Sequence, residues 1–321
     1  MFALRGITVS LTFFVVIYCL LSLLVAVAWR ALSWRAFPSR SMLLRTRSER
    51  NLANMLFGLR ILPMVASTVI TLGLVVPSFQ LLEPRSIEED LGPMPLVLGL
   101  CALLLIACGI FRVVTAQTRT FRLVARWMDG ANPLTVEIDA ATFRSKRDVP
   151  PLTLVGVCKP KILVAESTIS LLKHEELRIA LKHEVGHLRS RDNLRKLVFR
   201  FAPFPGMVEL EGAWSHAAEL AADDAAVSNP SDAVDLASAL VKLSRFLPVE
   251  AAPACTVGFV TGSIHARVER LLAWDEVIHS KERRIPRWFA IAPALAALLC
   301  VFATYGPALA VTHQITEWMV R

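Results

Sequence analysis

The sequence predicts an α-helical polytopic membrane protein with four spanning helices and a mainly α, α+β domain inserted before the fourth. Of its 321 residues, 55% are hydrophobic and only 19% are charged, whereas soluble domains usually carry about 25% charged residues. Four stretches also lack any charged side chain over the roughly 20 residues that a helix needs to cross a bilayer. These stretches are residues 6–29, 61–82, 91–111 and 288–311.

The first stretch has a competing interpretation as a signal peptide, because it ends in Ala-Val-Ala at residues 26–28. Its uncharged run is longer than the 7–15 residues usual for a signal peptide, and Arg5 is the only basic residue before it. We therefore expect an uncleaved membrane anchor.

The distribution of basic residues predicts the orientation in the membrane. Seven arginines and a single glutamate lie between the first two stretches, whereas the next connection, EPRSIEED, is net acidic. The positive-inside rule then places the first loop and the inserted domain in the cytoplasm and both termini outside. We expect a multi-pass protein of the cell (plasma) membrane in contact with the lipid bilayer. Its net charge of +8 reports this topology, and we expect no direct binding of nucleic acid.

The predicted domains are residues 1–125 (three spans with a basic cytoplasmic loop), 126–284 (the cytoplasmic domain) and 285–321 (the fourth span with a short extracytoplasmic tail). In the cytoplasmic domain, alternation predicts a strand at residues 134–139, and residues 152–165 read as two strands around a turn. Three helices follow. The second covers about residues 208–228, and the third begins with Asn229 as its N-cap and Pro230 in its first turn. Its predicted buried positions are Val234, Leu236, Ala237, Leu240, Val241 and Leu243. The apolar connection from Phe201 to Leu210 is either a buried connector or a segment at the membrane or along a groove.

The first of these helices contains the sequence LKHEVGHLRSRDN, in which His183, Glu184 and His187 have the spacing H-E-x-x-H. Residues four apart share a helix face, so both histidines can bind one metal ion, and Glu184 is placed as general base for the attacking water. A catalytic zinc site also needs a third protein ligand. Glu219 on the second helix is the candidate. Asp223, four residues later on the same face, is placed to hold a ligand histidine by its other ring nitrogen.

Other polar residues near these motifs have alternative interpretations. His216 lies one turn before Glu219 and is either a proton donor to the site or a partly exposed helix residue. Arg267 is either a cation that stabilises the transition state or one half of a structural ion pair. Asp224 lies off the Glu219 face, and we expect Asp192 to fix a helix end or to pair with Arg189 or Arg195.

With these residues in place, the chain resembles the membrane metalloproteases of the BlaR/MecR-type antirepressor receptors. The similarity rests on ALKHEVGHLRSRDN, on ELAADDAAV followed by DLASALVKLSR, on ARVERLLAW, and on the order of spans and domain. It implies a zincin-like, gluzincin-like metalloprotease domain with one Zn²⁺ per chain, bound by His183, His187 and Glu219, with Glu184 catalytic and Asp223 in support. The HtpX/CAAX-protease families share the H-E-x-x-H and E-x-x-x-D elements more distantly.

The chain departs from the β-lactam receptors after the fourth span, where only about ten residues follow and no S-x-x-K sensor motif occurs. Sensing would then need a separate partner or a homo-oligomer. Three functions stay open: a signalling zinc endopeptidase that cuts a protein substrate such as a DNA-binding repressor, a general quality-control membrane protease, and a non-enzymatic receptor or scaffold with structural zinc. For an enzyme, we expect the substrate to pair with an edge strand within residues 152–165.

Overall fold

The computed structural model describes residues 2–36, 48–84, 92–136, 138, 140–146, 149–245, 256–258, 264–274 and 291–320. The chain divides into two compact units. The first comprises Met1–Phe37, Leu59–Gly109 and Arg283–Arg321, and the second comprises Pro38–Gly58 and Ile110–Glu282. Two long helices, α2 and α4 below, contribute residues to both units.

The first unit is built from long apolar helices. They are α1 (Phe2–Ala36), α2 (Glu49–Ile70), a π-helical turn (Thr71–Val75), α3 (Val76–Leu82), α4 (Pro93–Met128) and α11 (Ile291–Val320). Within the described residues, three helical stretches are long and apolar enough to cross a membrane: Phe2–Ser33, Glu49–Leu82 and Pro93–Met128. The chain is therefore mostly helical with three candidate spans. The helix α11 covers the fourth predicted span, which stays a prediction.

Close contacts join these helices. Gly6 of α1 lies against the ring of Phe79, where an added Cβ would approach within 2.8 Å of the ring. The hydroxyl of Thr12 donates to the carbonyl of Pro95 at 2.9 Å. The π-helical turn leaves carbonyl groups outside the regular helix ladder, and the hydroxyl of Tyr305 donates to the carbonyl of Gly73 at 2.8 Å. Polar side chains of one helix thus reach backbone carbonyl groups of another.

The second unit contains a five-stranded sheet with the order β1-β2-β4-β3-β5. Its strands are β1 (Asn132–Pro133), β2 (Thr142–Ser145), β3 (Leu152–Val155), β4 (Lys161–Ala165) and β5 (Thr256–Gly258). Strands β2 and β4 are parallel and the other pairs are antiparallel. The predicted pair of strands in residues 152–165 is confirmed as the β3–β4 hairpin. Gly156 begins its turn with a φ of +90°, a conformation that L side chains rarely adopt.

Two predictions about the sheet are wrong. Of the strand predicted at residues 134–139, residues 137 and 139 lie outside the described residues, and residues 134–136 and 138 are not in a strand. The chain turns tightly here, because the N–H of Ile138 donates to the carbonyl of Val136 at 2.7 Å. The alternating side chains of this irregular segment still pack against the core. The second error concerns the expected edge strand. Both β3 and β4 lie inside the sheet, because β2 covers β4 and β5 covers β3.

Among the described residues of the second unit, six further helices occur: α5 (Glu166–Leu171), α6 (His174–Ser190), α7 (Asp192–Phe201), α8 (Val208–Ala226), α9 (Pro230–Ser244) and α10 (Ile264–Leu272). The N-cap of α9 is confirmed, since the N–H of Asp232 donates to Oδ1 of Asn229 at 2.9 Å. In α9 the residues Leu236, Ala237, Leu240 and Leu243 are buried, as predicted.

The prediction that Val234 and Val241 are buried is wrong, because they are 55% and 41% exposed. At 100° per residue, both valines point away from the face that Leu236, Leu240 and Leu243 share. Hydrophobicity alone had assigned them to that face.

Candidate metal centre

The helices α6 and α8 touch closely at Gly186, the glycine of the H-E-x-x-H sequence. A Cβ at this position would lie 3.2 Å from Cα of Ala222, tighter than most side-chain contacts. Glu219 lies one turn before Ala222 on α8. The absence of a side chain at Gly186 therefore allows α8 to bring Glu219 opposite His183 and His187.

His183, His187 and Glu219 form a buried cluster, which we call the ligand triad. The two Nε2 atoms are 3.1 Å apart. One carboxylate oxygen of Glu219 is 3.6 Å from Nε2 of His183, and the other is 3.6 Å from Nε2 of His187. Ligands about 2.05 Å from a tetrahedral zinc ion lie about 3.3 Å from one another. The donor atoms fit such an ion, and the ligand triad can hold a metal.

The outer nitrogen of each histidine faces a carboxylate. Nδ1 of His183 lies 2.9 Å from Oδ1 of Asp223, and Nδ1 of His187 lies 2.7 Å from Oδ2 of Asp192. Contacts of this kind fix the orientation of a metal-binding imidazole and direct its Nε2 inward.

The contact of Asp192 with His187 was missed from the sequence. It arises because Arg191 takes a left-handed conformation, φ 54°, between α6 and α7. The turn brings the first residue of α7 back towards His187. Nη1 of Arg195 is 3.9 Å from Asp192, so the expected pairing with Arg195 is only a distant contact.

Arg267 is completely buried and joins α10 to α8. Its Nε and Nη2 donate to the two oxygens of Asp223 at 2.8 and 2.6 Å, and its Nη1 donates to Glu219 at 3.0 Å. Of the two interpretations from the sequence, this geometry is that of the structural ion pair. The guanidinium also neutralises charge on a member of the ligand triad.

The electrostatics of the site follow from burial and from these pairs. Burial alone would raise the pKa of Glu219, but His187, His183 and Arg267 hold it well below its ordinary value. Burial likewise opposes ionisation of Asp223, but Arg267 and His183 together outweigh it and lower that pKa. Burial would lower the pKa of His187, yet Glu219 and Asp192 raise it to about 10. The ligand triad therefore attracts a cation, either a proton or a metal ion.

Glu184 is fully buried beside the ligand triad. Within the part of the chain that the structure describes, neither of its carboxylate oxygens has a hydrogen-bond partner. Burial raises the pKa of Glu184, although His187 and His183 oppose this effect. The backbone of Leu154 opposes it more weakly, without meeting the geometry of an ordinary hydrogen bond. A buried carboxylate without a partner is costly in a structural role, and a raised pKa makes this carboxylate easier to protonate.

The remaining candidates lie elsewhere. His216 is exposed on α8, which agrees with its interpretation as a partly exposed helix residue. Asp224 pairs with Arg270 at 2.7 Å. Part of the connection from Phe201 to Leu210 lines a cavity of about 530 Å³ with Arg112 and Trp214. No member of the ligand triad is among the described residues that line this cavity.

The chain matches no protein-family model, and it matches no curated protein.

Proposed function

We propose that this chain is an integral-membrane zinc endopeptidase of a signalling pathway, which cuts a cytoplasmic or membrane-proximal protein such as a transcriptional repressor. The observation that carries the proposal is the buried, unpartnered Glu184 next to the ligand triad. The motif resemblance to the BlaR/MecR-type antirepressor receptors supports a repressor as the substrate.

His183, His187 and Glu219 would hold one zinc ion through two nitrogens and a carboxylate. Three protein ligands are typical of catalytic zinc, whereas structural sites usually have four. When bound, zinc would supply Lewis acidity to polarise the scissile carbonyl. Asp192 and Asp223 would keep the histidines oriented, and Arg267 would hold Glu219 in its ionised form.

Glu184 would act as the general base and then as the general acid. A carboxylate oxygen of Glu184 accepts a proton from the attacking water and afterwards delivers it to the leaving amine nitrogen. Burial raises the pKa of Glu184, which brings a carboxylate closer to the value that suits proton transfer near neutral pH. A purely structural zinc site would have no use for this group.

The substrate position follows from the sheet. An extended peptide is commonly bound by pairing with a strand, and β3 packs next to the helix that carries His183 and Glu184. Because β5 already pairs with β3, a substrate strand would have to displace β5 in order to pair with β3.

A substrate trap in the native host tests the proposed function. Wild-type protein and the Glu184→Gln variant are compared by co-purification and by mass spectrometry of new N-termini, with Glu175→Gln as matched control. Glu175 undergoes the same chemical change at the exposed start of α6. One dominant partner, intact with Glu184→Gln and cut with the wild type, is expected. Many unrelated membrane proteins would indicate quality control instead, and no difference would indicate structural zinc.

A further inference from the structure

A cavity of about 500 Å³ in the second unit is lined by cations and contains no carboxylate among the described residues that line it. The cations come from three helices and one connection. Helix α2 contributes Arg50, α6 contributes Lys182 and Arg189, and α7 contributes Arg195. Arg191 lies between α6 and α7. Asn54 and Ser190 add neutral hydrogen-bonding groups. This basic cavity lies on a face of α6 that His183 and His187 do not share.

The positive charge in the basic cavity is compensated only in part, and the guanidinium of Arg195 lies over the ring of Phe57, 5.0 Å from its centroid. Arg195 donates to the neutral amide oxygen of Asn54 at 2.7 Å, and Arg50 contacts the hydroxyl of Ser190. Within the described residues, the buried Nη1 of Arg195 has no hydrogen-bond partner. Burial lowers the pKa of Arg195, Asp192 opposes this effect, and the nearby Arg50 adds to it. Arg50 and Arg195 therefore repel one another.

The neighbouring carboxylates balance these cations only in part. Oδ2 of Asp192 lies 2.7 Å from Nδ1 of His187, and its Oδ1 makes a distant contact of 3.9 Å with Nη1 of Arg195. Asp224 precedes the cavity-lining Ala225 and pairs with Arg270 at 2.7 Å. An external anion is what would balance the basic cavity. Arginine guanidinium groups bind phosphate oxygens through paired N–H donors, which suits this lining.

The position of Arg50 indicates where such an anion would come from. Arg50 and Asn54 lie in the first two turns of α2, about ten residues before the uncharged stretch at residues 61–82. A basic segment next to a spanning helix attracts anionic lipid headgroups. The volume of the basic cavity is also ample for a phosphate group.

We infer that the basic cavity is a binding site for a phosphate-bearing anion, supplied either by the headgroup of an anionic phospholipid or by a soluble phosphate. Such an anion would bridge α2 to α6 and α7 and remove the repulsion between Arg50 and Arg195. The site goes beyond the proposed hydrolysis, because none of its residues belongs to the ligand triad and Glu184 does not line it.

The test uses full-length protein in an uncharged detergent. Thermal unfolding is followed while short-chain phosphatidylglycerol is added in one arm and inorganic phosphate in another, since a ligand of the folded state raises the unfolding midpoint. Diacylglycerol of the same chain length is the lipid control. The test variant is Lys182→Gln/Arg189→Gln at the rim of the basic cavity. The matched control is Lys159→Gln/Arg245→Gln, which removes the same charge at two exposed positions elsewhere in the unit.

We expect phosphatidylglycerol, but not diacylglycerol, to stabilise the wild type and the matched control. Each basic residue near an anionic headgroup contributes about fivefold in affinity, so the rim variant should bind roughly thirtyfold more weakly. If inorganic phosphate alone shows this dependence on the rim, the basic cavity takes a soluble anion. The inference is overturned if the rim variant and the matched control bind both anions equally well, or if diacylglycerol stabilises as much as phosphatidylglycerol.

Discussion

The carboxylate of Asp192 lies 2.7 Å from Nδ1 of His187. The other ring nitrogen, Nε2, faces His183 and Glu219. The contact with Asp192 fixes which nitrogen of His187 is available to a metal. We predict that Asp192→Ala weakens zinc affinity by roughly 10- to 100-fold. Asp192→Asn keeps an oxygen acceptor and should lose less. Competition with a zinc chelator dye measures both variants, and wild-type affinity in Asp192→Ala would contradict this role.

The close approach of Gly186 to Ala222 sets the distance between Glu219 and the two histidines. Gly186→Ala places a Cβ 3.2 Å from the backbone of α8, so we expect the helices to separate slightly and zinc affinity to fall. Gly212→Ala is the control on α8, because nothing lies within 4 Å of an added Cβ there. That change should leave zinc affinity unchanged and stabilise the helix by roughly 0.5–1 kcal/mol. Equal zinc affinity in both variants would contradict the role of this contact.

We predict that Arg267 stabilises the folded protein by pairing with two buried carboxylates, those of Asp223 and Glu219. Arg267→Met leaves Asp223 and Glu219 buried without their cation, a change that typically costs about 3–5 kcal/mol. Arg270→Met, one helical turn removed from Arg267, breaks the partly exposed pair with Asp224 and should cost no more than about 1 kcal/mol. Thermal unfolding of the two zinc-free variants makes the comparison. Equal stabilities would show that Arg267 does not hold the site together.

The raised pKa of His187 predicts how the metal-free protein responds to pH. Its folded-state value of about 10 lies above the ordinary 6.5. The stabilising effect of its proton is therefore complete below about pH 6.5 and is lost as the pH rises through 10. Unfolding midpoints in the presence of a chelator should fall across this window, and Glu219→Gln should make the dependence shallower. A flat profile in the unmutated protein would contradict the pairing of His187 with Glu219.

Much of the second unit could be predicted because its signals are local. The Asn229–Pro230 start of α9 and the glycine turn of the β3–β4 hairpin depend on residues next to one another in the chain. The ligand triad could be proposed because helical spacing places His183 and His187 on one face, which left a single ligand to find on the second helix.

Other features depended on contacts that no spacing rule contains. Asp192 reaches His187 only because Arg191 adopts a left-handed conformation at the end of α6. The partner that covers β3 comes from β5, about a hundred residues later in the chain. The alternation at residues 134–139 looked like a strand, although a tight turn with inward apolar side chains produces the same pattern.

The most direct test of the central claim is to measure zinc content and substrate cleavage together for Glu184→Gln. The purified variant and the wild type are given the protein that the trap retains, and Glu175→Gln again serves as control. We expect one zinc per chain in all three proteins, and cleavage slowed by about 10²- to 10⁴-fold only in Glu184→Gln. Undiminished cleavage by Glu184→Gln with zinc bound would contradict the assignment of Glu184 as the catalytic base.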